Sequence, residues 1–509
     1  MAEPSQPPGS DRGARSFAGH AAIYAIGNIA RRFVGFVMLP IYTRFLTPAD
    51  YGVIGLLTFA LALMEPLLGA RLGWAVPKFY FDARDHRGRR TVIWGALILT
   101  GAASAVSVLV LVLFRNVAAE ILFGNRKYAL ALGLFAISLL TQPIEQVGMT
   151  YLRLRERSGL FLTFSVSKLL LQLVLNLLLV VWWRGAVLGV VLSAVISSVL
   201  IAAGSSAYVA VHESPAFDWQ VTKKMMQFCW PLWLSAIAGI YIGASGALFL
   251  RTFDTLSDVG RLQLALKFAT TVGMLLWAPF LQHWEPMSFR YYKEVDGKRK
   301  FQVAFLSISA LMFMGGVIVS IFAEPVIKVM AAKSFYAAVS VVPVLTFAAI
   351  LDRLRTFFDF SFMITDRTKM RGAYQYATAV VITIAYVVLI PRFGLNGAAA
   401  AQCLTFVGTF IFVYILSRRY YDPEISLLPV GLFSLVGIGG YVVVILAARI
   451  PNMGVDLLIR TCVALVACVL IAVVALRAIR AVDVSLLESL PSPLHKLGRI
   501  QFGRLLGIR

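Results

Sequence analysis

The sequence predicts an all-α polytopic membrane protein built as two six-helix lobes related by internal duplication, with two extra C-terminal helices. Three observations predict it. Hydrophobic residues make up 59% of the 509 and charged residues only 14%, with a mean hydropathy of +0.81, far from the balance of a soluble domain. Apolar runs long enough to cross about 30 Å at 1.5 Å per residue recur along the chain, about 14 of them. Landmarks at matching positions also repeat with one offset: Asp50-x-Gly52 and Asp258-x-Gly260, Tyr128 and Tyr336, Gly189 and Gly397 are each 208 residues apart.

The runs fall at 18–42, 52–76, 91–114, 128–152, 159–182, 186–211, 229–250, 260–284, 301–323, 338–364, 372–390, 394–416, 428–448 and 457–476. Duplication groups them into an N-lobe at 18–211 and a C-lobe at 212–424, between a tail at 1–17 and two unrepeated helices at 425–480. Six spans per repeat is an even number, so both lobes keep one orientation and relate by an axis along the membrane normal, with a central cavity. Gly437, Gly439 and Gly440 in the thirteenth run suit close helix packing.

The formal charge of +22 would suit a nucleic-acid binder, but a soluble one would not carry such apolar runs. With the N-terminus inside, about 28 basic residues face the cytoplasm, about 10 lie outside and about 9 within spans, which puts both termini in the cytoplasm. The first run lacks a small-residue cleavage site and reads as a retained helix. The tail at 481–509 mixes Lys496, Arg499, Arg504 and Arg509 with Leu497, Ile500, Phe502 and Leu505, a pattern that would rest on anionic membrane lipids. Cys229, Cys403, Cys462 and Cys468 form no Cys-x-x-Cys pair, and no histidine stands at ligand spacing, so neither disulfide, metal nor cofactor is indicated.

Polar residues inside spans carry the chemistry, because a charge in hydrocarbon is expensive and marks a wet interior face. In the first span Tyr24, Asn28 and Arg32 follow helical spacing with Arg31 alongside, and in the fifth Ser165, Lys168, Gln172 and Asn176 form a similar stripe. Asp352, Arg353, Arg355 and Asp359 cluster in the tenth span, where Arg355 and Asp359 stand four apart and could neutralise each other. Lys267 lies roughly 10 Å in from the outer surface, and Arg71 lies near enough to the cytoplasmic surface to snorkel. Arg31, Arg32, Arg71, Lys168, Lys267, Arg353 and Arg355 outweigh Glu65, Glu145, Asp352 and Asp359 by three charges. A cationic cavity calls for an anionic ligand, and guanidinium groups grip phosphate oxygens bidentately. Gln142 adds hydrogen-bonding capacity, and Tyr24 and Trp277 add aromatic faces for sugars.

The stretch from Gly27 to Asp82 carries Gly27-Asn28, Pro40, the string Thr43-Arg44-x-Leu46-x-Pro48-x-x-Tyr51-Gly52, and a basic-aromatic exit from Lys78 to Phe81. It resembles the N-terminal signature of bacterial polysaccharide flippases of the Wzx type, in the multidrug/oligosaccharidyl-lipid/polysaccharide (MOP) superfamily. The family more often has arginine where Lys78 stands. The resemblance implies a multi-pass protein of the bacterial inner membrane. Its expected activity is to flip a polyprenyl-pyrophosphate-linked oligosaccharide, such as an O-antigen or exopolysaccharide repeat unit, to the outer leaflet by alternating access. The last two helices would then flank a groove for the polyprenyl tail, and a glycan polymerase or assembly complex is the implied protein partner. Asn28, Arg31, Arg32, Arg71, Lys168, Gln172, Asn176, Lys267, Arg353 and Arg355 are the expected substrate ligands, and Glu65, Glu145 and Asp352 the expected cation-coupling acids.

Two other classes compete. A drug exporter of the same superfamily would line its cavity with acids against organic cations, which the charge sign opposes. An enzyme would show a large external loop or a phosphate-cradling or nucleophile motif, and neither Gly-x-Ser-x-Gly nor His-Glu-x-x-His occurs.

Overall fold

The computed structural model describes residues 38–67, 72–365, 367–447 and 453–482. Tyr24, Asn28, Arg31, Arg32, Arg71 and the basic C-terminal tail therefore lie outside the described residues. Within them every regular element is helical, and 12 helical stretches are long and apolar enough to cross a membrane. One of these is the helix Thr368–Arg418, 51 residues long, which at 1.5 Å per residue would run about 75 Å. It is two helices meeting at Gly394, where φ 54° and ψ −128° demand a glycine. The first expected run lies almost wholly outside the described residues, so the full count of fourteen stays an expectation.

The chain packs as two compact units, Met1–Gly260 and Arg261–Arg509. The first holds α1 (Leu39–Phe45), α2 (Pro48–Leu67), α3 (Val76–Asp82), α4 (His86–Leu113), α5 (Arg115–Phe123), α6 (Ala129–Leu154), α7 (Ser158–Asn176), α8 (Ala186–His212), α9 (Trp219–Ala244), α10 (Gly246–Phe253) and the first turn of α11 (Leu256–Val272). The division by packing thus falls later than the repeat boundary at 211. The reason is that α9 packs on α2 and α4, with Met225 and Cys229 buried among Val92, Ile93 and Tyr151. α6 is the central helix, lying against both α4 and α8.

The second unit contains the rest of α11, a π-helical turn at Gly273–Trp277, α12 (Ala278–Tyr291), α13 (Gly297–Met330), α14 (Val342–Ile364), α15 (Thr368–Arg418), α16 (Leu428–Ala447) and α17 (Met453–Val482). Its core is aromatic. Trp284 stacks on Phe357 with centroids 5.0 Å apart, and Phe305 meets both Phe357 and Phe358 edge-on or tilted. The two added helices α16 and α17 pack on α13 and on each other. The buried Arg460 fastens α17 to α13 by bonds to Glu324 at 2.6 Å and the Ile321 carbonyl at 2.8 Å, and is held on its own helix by Asp456 at 2.8 Å.

The duplicated landmarks take matching roles. The Thr47 hydroxyl donates to Asp50 at 2.7 Å at the start of α2, and the Thr255 hydroxyl to Asp258 at 2.7 Å at the start of α11. In both, the backbone N–H of the acid returns a bond to the threonine, a side-chain cap that fixes where the helix begins. Tyr128 and Tyr336 each sit in a 3-10 turn. Inside the first unit the capped ends of α2 and α11 touch reciprocally. A Cβ on Gly52 would stand 2.3 Å from the Leu256 carbonyl oxygen, and one on Gly260 only 1.8 Å from that of Pro48.

Candidate functional site

In the first unit, α6 turns Gln142, Glu145, Gln146, Met149 and Arg153 onto one face by their three- and four-residue spacing. Phe161 and Lys168 from α7 and Glu65 from α2 complete the lining of a cavity of about 410 Å³. Lys168 Nζ lies 2.6 Å from Glu145 Oε2, with side chains 22% and 9% exposed. Arg153 donates to the Thr150 hydroxyl at 2.9 Å, and its guanidinium stands 5.9 Å from the Phe161 ring centroid. Glu65 and Gln142 also line a smaller cavity of about 140 Å³ with Thr58 and Ser138. Ser138 is buried, and among the described residues its hydroxyl has no partner.

Further along α7, Asn176 is fully buried. It accepts from Tyr42 at 3.1 Å and Ser193 at 2.9 Å, and donates to the Gln172 carbonyl at 2.8 Å. In this conformation its amide ties α7 to α1 and α8, while Gln172 is half-buried one turn away.

The second unit brings together the cluster expected on α14. Arg355 donates to Asp352 at 3.0 Å and to the Tyr374 hydroxyl, and lies 3.8 Å from Asp359. Tyr374 donates to Asp359, and Arg371 reaches the same carboxylate at 3.2 Å. Arg355 is thus spent on partners within the protein. Arg353 is the more accessible neighbour, 46% exposed and 3.4 Å from Asp352, with its stem over Gly273 at the π-helical turn. Lys267, half-buried on α11, differs from all of these. Among the described residues its ammonium meets no carboxylate and no hydrogen-bond acceptor. A further cavity of about 370 Å³, almost wholly apolar, lies between α13, α14, α15 and α16, where Phe313, Phe347, Ile350, Cys403, Ile438 and Tyr441 line it.

Arg153 and Arg371 stand at the ends of their spans, and the first lines the cavity of the first unit while the second holds Asp359. Gln146 and Arg460 went unnoticed. The signal for Gln146 was its spacing of four from Gln142, and for Arg460 its spacing of four from Asp456. Among the described residues no group of three His, Cys, Asp or Glu side chains could hold a metal ion.

No curated protein matches the sequence. Solved structures do share the fold. The chain is similar to a lipid II flippase MurJ in an inward closed conformation, at TM-score 0.67 and 11% identity over 88% of this chain and 97% of that one. It is similar to an inward-facing multidrug resistance MATE family transporter of the MOP superfamily, at 0.55 and 16% over 76% and 95%. A third likeness is to the MATE multidrug transporter DinF-BH, at 0.56 and 14% over 83% and 99%. At such identities the likeness speaks for the fold, that of multi-pass transporters and flippases. The family is given by sequence, since the model of the polysaccharide biosynthesis protein family matches residues 18–292, more than half of the chain. With its spans, its duplicated landmarks and this fold around them, the chain belongs to the polysaccharide biosynthesis protein family.

Proposed function

We propose that the protein is a flippase that carries a polyprenyl-pyrophosphate-linked oligosaccharide from the cytoplasmic to the outer leaflet of a bacterial inner membrane by alternating access. Lys267 is the observation that carries the reading. Glu145, Asp352 and Asp359 are each engaged by a cation, whereas the Lys267 ammonium is uncompensated among the described residues. An unpaired cation within a span needs water or an anion beside it, and a pyrophosphate supplies the anion. Arg353 is an accessible guanidinium within a span of the same unit, and Arg31, Arg32 and Arg71 are further proposed ligands. Pairing of Glu145, Asp352 and Asp359 also argues against an exporter of organic cations.

The apolar cavity against α16 would shelter part of the polyprenyl chain, which keeps hydrocarbon out of the polar path. Moving a negative charge outward across an inside-negative membrane gains about 2.3 kcal/mol per 100 mV, so voltage alone can bias the flip. Glu65, Glu145 and Asp352 are the groups through which a cation would couple instead.

The test is transport of labelled polyprenyl-pyrophosphate glycan in reconstituted vesicles. Loss of one charge-assisted contact costs about 1.5–3 kcal/mol, so Lys267→Gln is expected to slow transport roughly ten- to a hundredfold, and Lys267→Arg to keep most of it. Undiminished transport by a triple variant combining Lys267→Gln with Arg31→Gln and Arg32→Gln would remove the pyrophosphate reading.

A further inference from the structure

We propose that the cavity between α2, α6 and α7 is a saccharide subsite that takes one or two uncharged sugar rings of the transported glycan. It rests on the flippase reading for its physiological role but not for its chemistry. Four charged side chains line the cavity, and they cancel. Glu65 and Glu145 are set against Lys168 and Arg153, with one opposed pair in direct contact at 2.6 Å. A charge-balanced site offers no net attraction to a pyrophosphate. It offers many groups to hydroxyls, because carboxylates accept, ammonium and guanidinium donate, and the amides of Gln142 and Gln146 do both.

Position and size agree with this ligand. Gln142 is exposed although it sits in the middle of an apolar span, so it faces open space within the protein. The volume of about 410 Å³ falls in the roughly 300–1,000 Å³ range of small-molecule sites. The smaller cavity continues the polar surface past Gln142 to Ser138, whose buried hydroxyl has no partner among the described residues. A buried hydroxyl left unpaired costs free energy, and a sugar hydroxyl or a water bridging to one would satisfy it. The phosphate-directed cation and the sugar-directed pocket therefore separate. Lys267 grips what polyprenyl-pyrophosphate-linked glycans share, and the α2–α6–α7 cavity reads what differs between them.

The subsite is tested by saturation-transfer NMR on the detergent-solubilised full chain with two uncharged, lipid-free disaccharides, maltose and N,N′-diacetylchitobiose. Binding of sugar-free polyprenyl pyrophosphate is measured on the same samples. At least one disaccharide is expected to bind the wild type. The Gln142→Leu, Gln146→Leu double variant should weaken it at least tenfold, while Lys267→Gln leaves it unchanged. Polyprenyl pyrophosphate should respond the opposite way, weakened by Lys267→Gln and indifferent to the glutamine changes. Should the double variant fail to fold, Gln146→Asn keeps the amide but withdraws it by one methylene, and a three- to fivefold loss is expected there. Equal disaccharide binding by wild type and the glutamine variants, or none by the wild type, overturns the subsite. Disaccharide binding without any polyprenyl pyrophosphate binding overturns the lipid reading and leaves the subsite standing.

Discussion

Lys168 and Lys267 are both lysines set within apolar helices, one in each unit, and their surroundings separate two uses of a charge in a membrane protein. Lys168 is held 2.6 Å from Glu145 at the wall of a polar cavity, whereas Lys267 has no counter-charge among the described residues. The first arrangement is self-contained, and removing either partner strands the other. The second is incomplete, and completes itself only with something from outside the chain. The α14 cluster stands between them, since Arg355 is consumed by Asp352, Asp359 and Tyr374 while Arg353 beside it stays half exposed.

The largest effect is expected where the charge is unpaired. Lys267→Glu should abolish surface glycan in a strain lacking the native gene, with protein on a blot within twofold of wild type, because reversal repels the phosphate while removing no bond within the protein. Normal glycan from that variant would erase the distinction between the two lysines. Glu145→Gln should act on stability instead. Breaking a buried pair costs about 3–5 kcal/mol, and adding Lys168→Met should return most of it, because the stranded ammonium is then gone. Thermal unfolding of the purified single and double variants measures this, and additive losses would mean that the two side chains do not depend on each other.

A smaller effect is expected from Gly260→Ala, whose Cβ would meet the Pro48 carbonyl at 1.8 Å. Overpacking costs about 1–3 kcal/mol, so thermal unfolding of the purified variant should show a loss of that size. An unchanged unfolding temperature would mean that the two helix ends can separate without cost. Smallest of all is Lys298→Ala. Its 2.6 Å pair with Glu424 is 52% and 62% exposed, and such pairs contribute less than about 1 kcal/mol, so unfolding temperature and transport should both stay near wild type.

The fold was legible because its signals are local. Apolar runs of spanning length mark the helices, Thr47 with Asp50 and Thr255 with Asp258 mark helix starts, and Gly394 falls where two runs were separated on sequence alone. The Arg355–Asp359 neutralisation was legible for the same reason, since four residues on one helix make neighbours. The contacts of Arg153 and Arg371 were not legible because each lies at the end of a span, where position alone cannot distinguish a loop residue from one whose long side chain reaches inward.

By itself the sequence determined that this is a duplicated helical membrane protein, that its spans carry more cations than acids, and which face of its own helix each polar residue occupies. Only the tertiary structure decided which of those charges meet. Lys168 finds Glu145 on the neighbouring helix α6, and Asp359 finds Arg371 and Tyr374 on α15, while Lys267 finds no partner among the described residues. The physical reason is that helical periodicity fixes the angle between side chains on one helix. The rotation of that helix about its own axis is set by how its ridges pack against neighbours that lie elsewhere in the sequence.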